Sequence, residues 1–452
     1  MSESRITSLF RPFRRLSSKK PNANRLLFIT TILAILIANS PWAYLYLEFL
    51  EHPIRLHIAG YDFFTHHGEP MTILEFVNDA LMTLFFFVIG LEIKQEILIG
   101  ELSSVKKAML PVLAALGGMI VPVIVYILIC HSSPEIRGAA IPMSTDIAFA
   151  LAIVTALGNR IPFSLRIFLT ALAVVDDLGG IIIIAIFYSK DILLEPLGIS
   201  AILLITLFIG GRLGIRNQVF YYIGGFIIWR LFLESGIHPT IAGVLVAFTV
   251  PALPDIHLEQ FSDDMVEYLQ MLDFDDIKQT DSATILTSSQ IRILNQIHRE
   301  TNLSISPLQK IADSMHPYIY LFILPLFAFV NAGVTLGGID PSTLLGVPLA
   351  IMAGLVIGKS CGIYLFTYLF FRLRIIVLPA GVTRRNLFGV AMLGGIGFTV
   401  ALFISNLAFA SIPDVGADLL NQAKIGVFAG SVLSGILGYM ILSKCPCSVV
   451  RQ

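Results

Sequence analysis

From Ala140 the chain reads AIPMSTDIAFALAIVTALGNR to Arg160, then IPFSLRIFLTALAVVDDLGGIIIIAIFY to Tyr188. Two apolar segments, each long enough to approach a membrane span, carry three carboxylates in their middles: Asp146 and the adjacent pair Asp176 and Asp177. A carboxylate near a bilayer midplane costs about 2.5–3.5 kcal/mol on insertion scales, so three oppose insertion by roughly 8–10 kcal/mol. Acids retained against that cost point to an ion or proton pathway.

The rest of the chain has the composition of a membrane protein. Of 452 residues, 56% are hydrophobic and 13% are charged, against about 25% charged in soluble domains. Long uncharged runs, rather than short alternating ones, predict an all-α polytopic protein and exclude a β-barrel. Twelve spans are expected, at 26–46, 71–97, 107–130, 140–157, 163–188, 194–211, 217–233, 236–253, 316–337, 343–371, 386–410 and 420–443. They divide the chain into a basic tail (1–25), spans one to eight (26–253), a long acidic segment (254–315), spans nine to twelve (316–443) and a short tail (444–452).

Basic residues orient these spans. Lys94, Lys106, Lys107, Arg160, Arg212, Arg216, Arg372, Arg374, Arg384 and Arg385 follow even-numbered spans, whereas the opposite connections hold only Arg55, Arg137 and Lys190. The bias places both termini in the cytoplasm. On the other side, 47–70 alternates around Ala59-Gly60 and suits an external hairpin, whose open edge offers a pairing surface to a second copy. Segment 254–315 reads as a solvated cytoplasmic insertion with a helix near Ser288–Arg299. Cys130, Cys361, Cys445 and Cys447 form no disulfide framework, and the first apolar stretch lacks a cleavage site and reads as a span. No cofactor and no nucleic-acid partner are expected.

Two spans are built to break. Ser144-Thr145-Asp146 interrupts the fourth, and Gly394-Gly395-Ile396-Gly397-Phe398-Thr399 interrupts the eleventh. Irregular backbone at that depth survives only inside protein or against water. Spans three to five and ten to twelve thus form two triplets, each with its broken member in the middle, the pattern of an inverted-repeat transporter. Where half-helices cross, a negative group suits N-termini and a positive one C-termini; Asp146 and Lys359 are the candidates. Lys359 lies in a long apolar run and is expected to pair with an acid. Asp176 and Asp177 stand about 100° apart on a helix and can border one cavity. The same oxygens can hold a small cation or, in its absence, protons. Competition at such a site yields exchange if it opens alternately to each side. Asp79 lies within the second span, Glu92 and Glu96 one turn apart at its cytoplasmic end, and His238 opens the eighth, where imidazole titrates in a useful range. Arg230 and Glu234 suit an i,i+4 pair.

These motifs resemble the NhaA-type sodium/proton antiporters of bacteria over residues 24–443. The matching stretches are NDALMTLFFFVIGLEIKQE, LAALGGMIVP, STDIAFALAI, LTALAVVDDLGGIIIIAIFY, GIHPTIAGVLVAF, ILPLFAFVNAGV, GLVIGKSCG and GGIGFTVALFI. The resemblance implies that Asp176 and Asp177 carry cation and proton, with Thr145 beside the cation. It implies that Asp146 and Lys359 balance the crossing, that Glu92, Glu96 and His238 respond to pH, and that Asp79 is a supporting acid. It further implies electrogenic exchange of Na+ or Li+ for H+ across the bacterial inner membrane by a homodimer joined through 47–70. The chain departs from the family pattern at Gln95, Ala312 and Asp313, positions of the pH response, and in the length of 254–315, so an altered pH profile is expected. Two other classes fit less well. A sodium-coupled symporter of an organic anion could share the broken helices but needs a substrate cavity. An intramembrane aspartyl protease needs its acids on different helices, in Tyr-Asp and Gly-x-Gly-Asp contexts absent here.

Overall fold

The computed structural model describes residues 23–445 except 56, 59–60, 67–68, 190–191, 255, 257, 272–278, 281–282, 285, 336, 338–342 and 380. Expectations for the basic tail before residue 23, for the Ala59-Gly60 turn and for Cys447 lie outside these residues. The described chain is an all-α polytopic bundle with three two-stranded hairpins. Eight helices are long and apolar enough to cross a membrane, and ten if each of two bent pairs counts as one span. All twelve expected segments contain helix. The seventh, Gln218–Ser235, is diluted by Arg230 and Glu234, and the eighth, Thr240–Thr249, is short, so neither reaches that criterion.

Three boundaries differ from the expected ones. The first segment is two helices, through Ala38 and from Ala43 to Glu51, bent by 113°. Pro41 cannot continue the first helix, and Asn39 Nδ2 turns outward to Val334 O at 2.7 Å. The fourth span begins at Glu135. The ninth begins at Pro307 rather than 316, because Ser306 caps it by accepting from Gln309 N at 3.2 Å with proline in the first turn. The inserted segment is correspondingly shorter. Its helix Ser288–Ser304 extends the expected one and packs on Leu258–Met271 through a Gln296–Tyr268 hydrogen bond of 3.1 Å. In the 47–70 region, His57 pairs with Asp62 and Ile58 with Tyr61, and a second small hairpin follows. Arg230 and Glu234 meet at 2.9 Å.

Small residues bring the helices close. Gly354, Gly358 and Gly362 recur every fourth residue along one face of the tenth span, Thr343–Arg372, a spacing that lets membrane helices approach backbone to backbone. A Cβ at Gly362 would stand 2.1 Å from Gly117 O, and one at Gly358 2.6 Å from Pro122 Cα. That face of the third span, Val105–Ile129, therefore lies directly on the tenth. A turn of π-helix at Gly354–Lys359 then carries Lys359 inward. Gly362→Leu is expected to prevent this approach and abolish the monodisperse peak of the detergent-solubilised protein. A normally eluting variant would show that the stripe is dispensable.

Candidate functional site

Both interrupted spans break where the sequence loses helix propensity, and the breaks lie against each other. One chain stops at Met143, passes through extended Ser144–Asp146 and resumes as Ile147–Leu157; the other stops at Leu393 and resumes as Phe398–Phe409. The crossing is held by Asp146 N donating to Ile396 O at 2.5 Å and by Thr145 Oγ1 donating to Gly394 O at 2.8 Å. A Cβ at Gly395 would meet Leu355 O at 2.4 Å, so glycine is required for the second chain to pass the tenth span.

Two helix N-termini converge on Asp146. Its Oδ1 accepts from Ala148 N at 3.1 Å and Phe149 N at 3.4 Å; its Oδ2 accepts from Thr399 N at 3.1 Å and Thr399 Oγ1 at 2.7 Å. One carboxylate thereby satisfies orphan N–H groups of both half-helices and meets the positive end of both dipoles. The opposite charge sits at a C-terminal end: the Lys359 amine donates to Met143 O, the last carbonyl before the break, and to Asp176 Oδ2. These groups are buried, Asp146 at 4% exposure, Asp176 at 3% and Lys359 at 1%.

Asp176 and Asp177 lie midway along Phe163–Phe187. Asp176 is committed to Lys359 through one oxygen, while its Oδ1 is buried without a hydrogen-bond partner among the described residues. Asp177, 9% exposed, has no hydrogen-bond or ion-pair partner among the described residues. A lone buried carboxylate oxygen beside a second carboxylate and the Thr145 hydroxyl is a set of hard oxygen donors suited to a small cation or a proton.

A cavity of about 970 Å3 leads toward this place from the end of the bundle bearing Glu92 and Glu96. Its wall includes Arg25, Gln95, Thr155, Thr170, Asp313 and His316. It reaches Val174, one turn before Asp177, and Ala148, whose N–H is held by Asp146. Glu92 faces His316 across it at 3.6 Å, a pair that sequence reading missed although Glu92 lies in a quoted motif and His316 opens the expected ninth span. Glu96 Oε2 accepts from Glu101 N at 2.9 Å and shapes the helix end. Lys94 donates to Phe248 O at 2.7 Å and to Val250 O, capping the C-terminus of Thr240–Thr249.

His238 is elsewhere. It lies near the opposite ends of the spans, with Nε2 3.4 Å from Asp79 Oδ1 and Nδ1 2.8 Å from Thr240 Oγ1. The candidate pH-response set Glu92, Glu96 and His238 is therefore split between two ends of the molecule. Thr399 and His316 join the candidates. A second lysine, Lys424, lies within the apolar span Gly416–Ser443 and donates to Gly333 O at 3.2 Å. Cys445 is buried, with its thiol on Ile441 O at 3.5 Å.

Comparison with known proteins agrees over nearly the whole chain. The sequence profile of the family described as Na+/H+ antiporter 1 matches residues 14–442. The chain is 61% identical over 437 residues to the Na(+)/H(+) antiporter NhaA of Parabacteroides distasonis, covering 97% of this chain and 96% of that protein. It is 49% identical over 435 residues to that of Porphyromonas gingivalis (96% and 95% covered) and 47% identical over 436 residues to that of Bacteroides fragilis (96% and 98%).

Proposed function

This chain belongs to the Na+/H+ antiporter 1 family, whose members are membrane transporters and not enzymes, and on that basis we propose that it exchanges cytoplasmic Na+ or Li+ for external protons at Asp176 and Asp177. The observation that carries this reading is the buried Lys359–Asp176 pair next to Asp177, which has no hydrogen-bond or ion-pair partner among the described residues and lies one turn beyond Val174 in the cavity wall. In this arrangement Lys359 holds one oxygen of Asp176 and sets its positive charge beside the other, the one left for a cation. Na+ coming through the cavity must compete with that ammonium for Asp176 and with a proton for Asp177. Once Na+ is held by both carboxylates and the Thr145 hydroxyl, the crossing reorients to the other side. There protonation of Asp177 and of the Lys359 amine, which gave up its proton to the cavity when Na+ displaced it from Asp176, restores the Lys359–Asp176 pair and releases the cation. No cofactor takes part, because carboxylates and lysine carry both ions. More protons than Na+ move per cycle, which makes the exchange electrogenic.

The positive-inside bias supports a cytoplasmic mouth for the cavity and cytoplasmic termini in the bacterial inner membrane. The service is pH and sodium homeostasis. The paired strands near His57–Asp62 support a homodimer joined through the 47–70 hairpin. Asp146 and Lys359 hold the crossing by opposite charges at opposite helix ends.

The test is a Na+ pulse to proteoliposomes holding a preset pH gradient, read with a pH-sensitive dye. Dissipation by Na+ is expected; none at any pH would overturn antiport. The same assay run from about pH 5 to 8, where imidazole titrates, tests regulation. Protonated His316 pairs with Glu92 across the cavity and is expected to retard cation passage, and its deprotonation to relieve this. Gln95 cannot add a fixed positive charge to that pair, and Asp313 adds an acid. A gradual rise in rate is expected, and steep activation by alkali would refute it.

A further inference from the structure

Beyond the exchange site, three carboxamides line up, two of them buried and the third, that of Asn78, half-buried. Asn406 Nδ2 donates to Asn331 Oδ1, and Asn331 Nδ2 donates to Asn78 Oδ1 at 2.8 Å. Asn331 is fully buried and Asn406 is 7% exposed. The amides come from three different elements: Asn78 from the π-helical turn Phe76–Leu81 of the second span, Asn331 from the end of Leu324–Asn331, and Asn406 from Phe398–Phe409. An unpaired amide costs more in a membrane interior than an apolar side chain of the same shape, so packing alone does not account for three of them.

The same three elements also supply a layer of aromatic rings. Phe403 stands 5.6 Å from Phe86 and 6.4 Å from Phe327, and the edge of His238 meets it at 5.2 Å. Each of the three phenylalanines is 2% exposed or less. On Phe398–Phe409, Thr399 holds Asp146, Phe403 follows one turn later, and Asn406 lies about two turns from Thr399 on the same face. One rigid half-helix thus joins the crossing, the aromatic layer and the amide ladder. The wide cavity opens from the other direction.

We propose that Asn78, Asn331 and Asn406 are positioning residues for exchange: their ladder holds Phe398–Phe409 and its Phe403 ring against the second and ninth spans, keeping the far side shut while the cavity side is open. Opening to the far side then requires the ladder to break. The ladder sets how often that happens, without touching the cation. This inference rests on the antiport reading, since only a site that opens alternately needs such a latch.

The test reads the latch without transport. Ser405, fully buried on the same half-helix, becomes a near-isosteric reporter as Ser405→Cys in full-length protein whose four native cysteines are replaced by serine. The reagent is a membrane-impermeant thiol maleimide added from the hairpin side of oriented vesicles. With the ladder intact, labelling is expected to be slow. Asn406→Leu removes one ladder bond and is expected to speed labelling about tenfold, in proportion to the far-side-open population. Asn331→Leu removes both bonds and is expected to exceed it. Ala114→Cys, buried on the third span, is expected to stay unlabelled in either variant, whereas general loosening would expose it equally. If Asn331→Leu fails to reach the membrane, Asn406→Leu and Asn78→Leu decide the matter. Unchanged labelling, or equal labelling at Ala114→Cys, overturns the proposal. Na+-driven proton movement of the unsubstituted protein is measured in parallel, so a failure of antiport itself is seen separately.

Discussion

Asp177→Asn is expected to lower Na+-driven proton movement in proteoliposomes by at least a hundredfold while leaving the melting temperature of the purified protein nearly unchanged. The amide neither titrates nor carries charge. Two unit charges about 4 Å apart interact by roughly 4 kcal/mol at an effective dielectric of 20, and about 1.4 kcal/mol is a factor of ten in affinity. Loss of one of two carboxylates around a cation therefore weakens binding on the order of a thousandfold. Stability is spared because Asp177 has no hydrogen-bond or ion-pair partner among the described residues to lose. Asp176→Asn differs. It removes a carboxylate and also strands the Lys359 ammonium, which is 1% exposed, and breaking a buried pair on one side costs about 3–5 kcal/mol. That variant is expected to lose both exchange and several degrees of thermal stability. If Asp177→Asn exchanges within tenfold of the parent, the carboxylate pair is not the carrier.

Asp146→Ala is expected to be the most destabilising single change at the crossing. The substitution removes the acceptor shared by the N–H groups of Ala148, Phe149 and Thr399 and by the Thr399 hydroxyl. Each buried donor left unsatisfied costs about 1–3 kcal/mol, so a loss of roughly 3–6 kcal/mol is expected even after partial relaxation. It is read as a lower melting temperature, with exchange falling alongside because the half-helices no longer hold their register. Asp146→Asn keeps one carbonyl oxygen for Ala148 and Phe149 but turns an amide toward Thr399 or loses that contact. An intermediate melting temperature is expected for it. Equal melting temperatures for the alanine, asparagine and parent proteins would show that the crossing is held by other contacts.

Residue spacing foretold much of this. The buried acids in apolar runs, the Ser-Thr-Asp and Gly-Gly-Ile-Gly interruptions and the position of Lys359 deep in an apolar run marked an all-α membrane transporter. They did so because a charge or an unpaired backbone group in hydrocarbon is too costly to persist without a partner or a use. Boundaries were less legible. Hydropathy is averaged over a window, so it ran straight through Pro41, where the first segment turns by 113°. It also passed over the Ser306-Pro307 start of the ninth span, a capping signal written in the sequence but swamped by polar neighbours.

What the sequence determined by itself is the inventory: which segments are apolar, which of them break, and which charges must find partners. What only the tertiary structure decided is who meets whom. Lys359 chooses Asp176 over Asp177, Thr399 shares Asp146, Glu92 faces His316 rather than His238, and three asparagines from distant segments make one ladder. Local spacing places a group on a helix face. The helix it faces follows from how glycine stripes and broken ends let the whole bundle pack.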